Sequence, residues 1–410
     1  MQRLARLIAI GYVLICLTAL VATAVRGPLG YAPFPLPIGP ARTPVVVTLW
    51  YGTEKEAWLK DAVARFAATN PTLDGRPIQI ALKGLGSREI AERVAQKQWG
   101  SDTPPTVISP ASSLWIELLK DEWPKRGNSR PIVATGADAP QLLVLTPLVM
   151  AIWEKRAQAL WNDSATNFWM EVHDALADPR GWPGHISPDA SPEVKQEAAT
   201  WGFVKFGHTS PLKSNSGAQT LILLAYGYHN KTGKLTNADI LDPGFQKWFL
   251  DIENSVLEFG DSTGTFMNNM VLFGPSKYDF AMIYENLAIE SIDKAQGRWG
   301  DTLRVVYPPA TLFSDHPYAT LVGDWTTPEQ RAAAGQFRQF LLSRPIQELA
   351  LQYGFRPADP SVAVVTNDPN NPFTKYAKYG VKVNVAQQVE TPPGEVIGTL
   401  LDLWRRQINR

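Results

Sequence analysis

His208-Thr209-Ser210-Pro211-Leu212-Lys213-Ser214-Asn215-Ser216-Gly217-Ala218-Gln219 runs without a break into Thr220-Leu221-Ile222-Leu223-Leu224-Ala225-Tyr226. The first half reads as a polar loop rich in hydroxyls and the second as an apolar helix. Ser214, Asn215 or Ser216 suits the N-cap, where a short oxygen-bearing side chain accepts from a backbone N–H, and Gly217 lacks the side chain that would block a close approach. The first N–H groups of a helix have no partner within it and lie at the positive end of its dipole. A carboxylate or an oxyanion can be held at such a start without a lysine or arginine. One capped helix is commonplace, so a binding role requires a second start of the same kind.

Upstream, Thr106-Val107-Ile108-Ser109-Pro110 reads as a short strand, and Ala111-Ser112-Ser113 opens a helix over 114–119. Earlier still, Val45-Val46-Val47-Thr48-Leu49-Trp50-Tyr51 is a continuous apolar run, as a buried parallel strand shows. Gly52-Thr53-Glu54-Lys55-Glu56 turns from it into a helix with Trp58, Leu59, Val63 and Phe66 on one face; Thr53 as N-cap and Glu56 three residues on make a capping box. A second strand covers 78–82. Gly84-Leu85-Gly86-Ser87 after it is half a dinucleotide fingerprint, but Glu89 stands where the third glycine belongs, so it reads as a turn. In open parallel sheets ligands bind beyond the carboxyl ends of strands. Thr53 and Ser112 fall on one such rim, and the loop before Gly217 supplies the facing wall.

Downstream, residues 141–153 are long for a strand and carry Pro147 in the middle, which fits a strand that passes from one lobe to another and bends at the crossing. A helix is expected over 161–176, a proline-rich loop over 178–192 and a helix over 242–259. Tyr278-Asp279-Phe280-Ala281-Met282-Ile283-Tyr284 reads as a buried strand, and Tyr284-Glu285-Asn286 begins the next helix. Residues 303–307 return, as a second crossing would. Amphipathic helices follow from Pro328 and from Pro345, the latter closed by Gly354-Phe355-Arg356-Pro357, and a last helix covers 395–408.

At 410 residues the chain is too long for one ordinary core and calls for two lobes with extensions. Charge is balanced, 39 Lys+Arg against 39 Asp+Glu, which speaks against a nucleic-acid partner. Arg3 and Arg6 precede an uncharged run over 7–25, and Ala22-Thr23-Ala24 fits a signal-peptidase site. Residues 1–26 are therefore expected to be a signal peptide or an uncleaved membrane anchor, and the proline- and glycine-rich residues 27–44 a spacer. The single cysteine, Cys16, lies in the apolar run, so the body has no thiol for disulfides or metal sites.

Gly260-Asp261-Ser262-Thr263-Gly264 matches the nucleophile elbow of hydrolases, with His316 and either Asp279 or Asp315 in order for a triad. The elbow needs a strand before the serine, whereas the residues before Gly260 read as helix. The five histidines show no H-x-x-x-H or H-x-H spacing, so no metal and no cofactor are expected.

The ordered set of stretches Tyr51-Gly52-Thr53-Glu54-Lys55-Glu56, Ser109-Pro110-Ala111-Ser112-Ser113-Leu114, Ser210 to Gly217, Tyr278 to Glu285 and Gly354-Phe355-Arg356-Pro357 resembles the extracellular substrate-binding proteins of ABC transporters. Over residues 45–360 the chain is similar to their type II periplasmic-binding fold, near the branch of molybdate and sulfate binders. The resemblance implies an α/β fold of two lobes, each a mostly parallel sheet flanked by helices, with hinge crossings near Thr146-Pro147 and Val306-Tyr307. Lobe 1 is expected over 45–143 and 307–410, the latter including a C-terminal extension, and lobe 2 over 144–306. Carried across by position, the ligand site implied is Thr53, Ser112, Ser113, Ser214, Asn215, Ser216, Gly217, Tyr284 and Glu285. It further implies a monomeric, non-catalytic, extracytoplasmic protein that takes a small molecule or oxyanion and serves an ABC permease or other membrane component. Because Glu285 repels an anion unless paired, an organic or amine-bearing ligand read by Trp50, Tyr51 and Glu285 stands beside the oxyanion. A degenerate cleft serving as a sensory or docking module is the alternative.

Overall fold

The protein is described from a computed structural model. It describes residues 11–16, 18, 43–160, 167–385 and 387–408. Met1–Thr43 and Pro44–Arg410 are separate units. In the first, residues 11–16 and 18 are helical; the expected export signal or anchor over 1–26 and, up to residue 42, the spacer over 27–44 otherwise lie outside the described residues. No helix among the described residues is long and apolar enough to cross a membrane.

The second unit is built on two sheets. The first comprises β1 (Val45–Gly52), β2 (Thr72–Leu73), β3 (Arg76–Leu85), β4 (Val107–Ser109), β5 (Gln141–Leu142) and, from much later in the chain, β11 (Pro317–Thr320), in the order β2-β3-β1-β4-β11-β5. β3, β1 and β4 are parallel, as the apolar run of β1 requires of a strand covered on both faces. Successive residues of β1 feed opposite cores. Val47, Leu49 and Tyr51 join Trp58, Phe66 and Phe337 beneath the helices Glu56–Ala68, Pro328–Leu341 and Arg344–Gln352. Trp50 joins Ile90, Val94 and Trp115 beneath Ser87–Gln96 and Leu114–Lys125.

The second sheet gathers around β6 (Val144–Trp153), with β7 (Phe206–Gly207), β8 (Phe280–Tyr284), β9 (Leu303–Val306), β10 (Phe313–Ser314) and β12 (Arg356–Pro357). Here parallel pairing gives way. Among the described residues only β7 and β8 run parallel, while β8, β9, β10 and β12 all lie antiparallel to β6. The cause is topological: β6 carries the chain away from the first lobe, and β9 and β10 carry it back.

β6 is the strand that changes lobes. Leu143 and Val144 belong to the first core, whereas residues 148–153 belong to the second. The return lies later than Val306-Tyr307. Thr311 still donates to Leu148 O at 2.5 Å, β10 still pairs with Pro147 and Thr146, and the passage falls at Asp315-His316, between β10 and β11. The C-terminal segment, expected with the first lobe, places Val362, Phe373, Val389, Leu400 and Trp404 in the core of the second. Some boundaries also move. The helix expected over 161–176 is seen as Phe168–Ala177, with 161–166 outside the described residues, and the helix before Gly260 ends at Glu253.

Candidate functional site

Four chain segments meet between the sheets: the 3-10 turn Thr53–Lys55 of the first lobe, and the starts of the helices Asn215–Tyr228, Thr263–Phe273 and Glu285–Trp299 of the second. Two glycines permit the approach. A Cβ on Gly217 would drive into the carbonyl oxygen of Thr209, and one on Gly264 would lie 2.6 Å from Thr53 O. As a result Ser216 Oγ sits 2.7 Å from both Thr209 Oγ1 and Thr263 Oγ1, and Ser214 Oγ is 3.0 Å from Thr263 Oγ1. Across the lobes, the N–H of Gly264 donates to Thr53 Oγ1 at 3.1 Å. Thr53 thus serves the helix of the opposite lobe instead of capping its own.

Asn215 is the centre of a second cross-lobe group. Its Oδ1 accepts from Trp115 Nε1 of the first lobe at 2.8 Å, and its Nδ2 donates to Tyr284 OH at 2.8 Å and to Ser314 Oγ at 3.1 Å. Tyr284 is fully buried, and burial pushes its phenol far up, so it stays neutral and available as a hydrogen-bonding group.

The remaining expected residues lie close by but turn elsewhere. Ser112 Oγ accepts from Leu114 N at 3.2 Å, a local bond at the entry to its own helix. Ser113 binds Asp315 through both its hydroxyl and, at 2.7 Å, its N–H. Glu285 is paired: Arg356 of the Gly-Phe-Arg-Pro stretch reaches its two oxygens at 2.7 and 2.8 Å, and Tyr307 donates to it as well. Its charge is therefore met within the protein. Trp50 is in the first-lobe core with the Arg93 guanidinium 4.6 Å above its ring, and Tyr51 is buried in the opposite core.

The sequence reading missed a buried charged cluster. Lys55 Nζ lies 2.6 Å from Glu54 Oε1 and 3.1 Å from His316 Nδ1, and all three residues are buried. Asn286 Nδ2 from the second lobe donates to Glu54 O at 3.0 Å, and the His316 ring meets Tyr284 edge-on at 5.9 Å. Burial raises the Glu54 carboxyl, but Lys55 and His316 outweigh it and hold the group at about 2. Burial, with Lys55 alongside, lowers His316 to about 4. In sequence Glu54-Lys55 is part of the turn from the first strand into its helix; the return of the chain at His316 brings the third member of the cluster.

The G-x-S-x-G stretch serves the same junction. Ser262 Oγ donates to Thr265 Oγ1 at 3.0 Å, while His316 Nδ1 faces Lys55 and Glu54, so serine and histidine are engaged with different partners. No group of three or more His, Cys, Asp or Glu among the described residues is placed to hold a metal ion.

Hydroxyls, an amide and helix N-termini from two lobes, converging where the chain passes between sheets, define a two-lobed α/β binding protein of the type II periplasmic-binding fold. More narrowly, the chain belongs to the bacterial extracellular solute-binding proteins, whose family model matches residues 47–356. Such proteins act outside the cytoplasm. No curated protein matches the sequence. Among solved structures, the sulfate-binding protein SubI from Mycobacterium tuberculosis H37Rv is similar at 17% identity and a TM-score of 0.52, over 89% of this chain and 99% of that one. A periplasmic thiamin binding protein is similar at 12% identity and a TM-score of 0.59, over 91% and 98%. Iron-bound HitA from Pseudomonas aeruginosa is similar at 14% identity and a TM-score of 0.55, over 89% and 100%. At these identities the likeness is one of fold.

Proposed function

We propose that the protein captures a small polar solute or oxyanion between its lobes and delivers it to an ABC permease, acting as a monomer and held at the cell membrane or exported through its N-terminal segment. The observation that carries this reading is the cross-lobe bonding of Thr53 to Gly264 and of Trp115 to Asn215 at helix starts. Such bonds exchange readily for the oxygens of a ligand when the lobes part. Ser109 Oγ, at the end of β4, and His316 Nε2 support it: both are buried and have no hydrogen-bond partner among the described residues, and buried polar groups rarely go unpaired.

The test is a thermal-shift screen against sulfate, molybdate, ferric iron, thiamine, amino acids and polyamines. A solute present at 100 times its Kd stabilises the protein by about 2.7 kcal/mol. The shift should saturate with concentration and vanish in the double variant Ser216→Ala, Thr263→Ala. A second reading, a ligand-free sensory or docking module, is favoured by one observation: the Asn215 and Thr53 side chains already bond across the junction, and Ser216 already bonds Thr263 within the second lobe. A flat screen, with small-angle scattering that shows no opening in solution, would select that reading.

A further inference from the structure

A pocket of about 350 Å³ lies between the first-lobe helices Ser87–Gln96 and Leu114–Lys125 and the C-terminal helix Gly394–Gln407. It is distinct from the hydroxyl cluster. Trp115 stands between the two, lining the pocket while its Nε1 donates to Asn215. The walls are apolar, with Ala91, Ala95 and Leu118 on one side and Ile397 and Leu401 on the other. The volume and lining are those of a small-molecule site with an apolar floor and charged side chains around it.

Two further features define what fits there. Gly394 and Gly398, one turn apart on the C-terminal helix, both line the pocket, and a Cβ on either would meet no heavy atom of the described residues within 4 Å. Neither takes the left-handed backbone that would demand glycine. Glycine weakens a helix interior relative to alanine, so at Gly398 this face is kept bare against local preference. At the rim the charges pair off: Arg88 with Glu92 at 2.7 Å, Arg405 with Asp402 at 2.7 Å, and Glu122 with Lys125 at 2.8 Å. Arg126 is the exception, an exposed lining cation with no carboxylate partner among the described residues.

We propose that this pocket is a binding site for a small monocarboxylate with an apolar body, its hydrocarbon against Ala91, Ala95, Ile397 and Leu401 and its carboxylate on Arg126. The site goes beyond the solute reading and does not rest on it. Because one wall is the C-terminal helix, whose Leu400 and Trp404 lie in the second core, an occupant bridges the lobes and favours their closed arrangement.

Octanoate, with octanol as the uncharged match, tests the assignment by isothermal titration calorimetry on the full chain. Octanoate should bind saturably at one site and more tightly than octanol. Arg126→Glu, an exposed change that spares the core, should weaken octanoate by about tenfold and leave octanol unchanged. Gly398→Leu should fill the pocket and abolish both while the melting temperature holds. Equal affinities for octanoate and octanol, an unaltered affinity in Arg126→Glu, or full binding by Gly398→Leu would each overturn the proposal. So would the absence of saturable binding at millimolar concentration. Retention of octanoate binding by the Ser216→Ala, Thr263→Ala variant separates this site from the interlobe solute site.

Discussion

The Asn215 carboxamide joins more of the molecule than any cap needs to. One oxygen and one NH2 reach the first lobe at Trp115, the second at Tyr284 and the returning chain at Ser314. Replacing it with alanine leaves the buried Trp115 Nε1 and Tyr284 hydroxyl without these partners, and each such loss costs about 1–3 kcal/mol. Asn215→Ala should therefore lose about 2–4 kcal/mol in urea denaturation and expand the molecule in small-angle scattering. A loss below about 1 kcal/mol, or an unchanged radius, would show that the lobes are held elsewhere. Sequence gave Asn215 a place at a helix start but not its partners, because Trp115 is 100 residues away and Ser314 is 99. The partner of Glu285 was hidden for the same reason. Read alone it is a charge in a cleft; Arg356, 71 residues further on, turns it into half of a buried ion pair.

At the scale of elements, the pattern of apolar runs was enough to find β1, β6 and the helices that cover them, since a strand buried on both faces or a helix with one apolar face has a period visible in a few residues. The close approaches were less visible. Gly217 was legible as a place where backbone comes near, and the structure puts Thr209 O there. Gly86 read as an ordinary turn, yet a Cβ on it would lie 2.5 Å from Lys213 O and 2.9 Å from Asp261 O, both in the facing lobe. Antiparallel pairing of the second sheet was hidden too, because strand direction depends on where the chain returns and not on residue type. A pair of identical substitutions tests the packing argument. Gly217→Ala forces the helix Asn215–Tyr228 off its loop and should cost at least about 2 kcal/mol in urea denaturation. Gly335→Ala, within Pro328–Leu341 where a Cβ meets nothing within 4 Å, should instead stabilise by about 0.5–1 kcal/mol. Two shifts of the same sign would refute the account of either glycine.

For the molecule as a whole, the buried ionisable groups at and beside the lobe junction set opposing pH dependences. His316 is lowered from 6.5 to about 4, so the unfolded chain takes its proton first and stability is lost as pH falls from about 6.5 through 4. Glu54, lowered from 4.5 to about 2, adds a further loss as pH falls below about 4.5. Glu290, on the helix Glu285–Trp299, works the other way. Burial raises its carboxyl from 4.5 to about 7, one of its oxygens has no hydrogen-bond partner among the described residues, and Lys294 approaches no closer than 3.9 Å. The folded protein holds that proton while the unfolded chain releases it, so the contribution of Glu290 is complete below about 4.5 and is lost as pH rises through 7. Between 4.5 and 6.5 the His316 and Glu290 slopes oppose each other, and the melting temperature should vary little there. Glu290→Gln removes one slope and leaves the other. The variant should become more stable with rising pH up to about 6.5, then level off, and at pH 8 it should exceed the unaltered protein by about 3.5 kcal/mol, from about 1.4 kcal/mol for each pH unit through which the carboxyl is raised. Melting curves at half-unit steps from pH 4.5 to 8.5 decide it: if the two proteins give parallel curves, Glu290 is ionised in the folded state and the uncharged environment assigned to it is wrong.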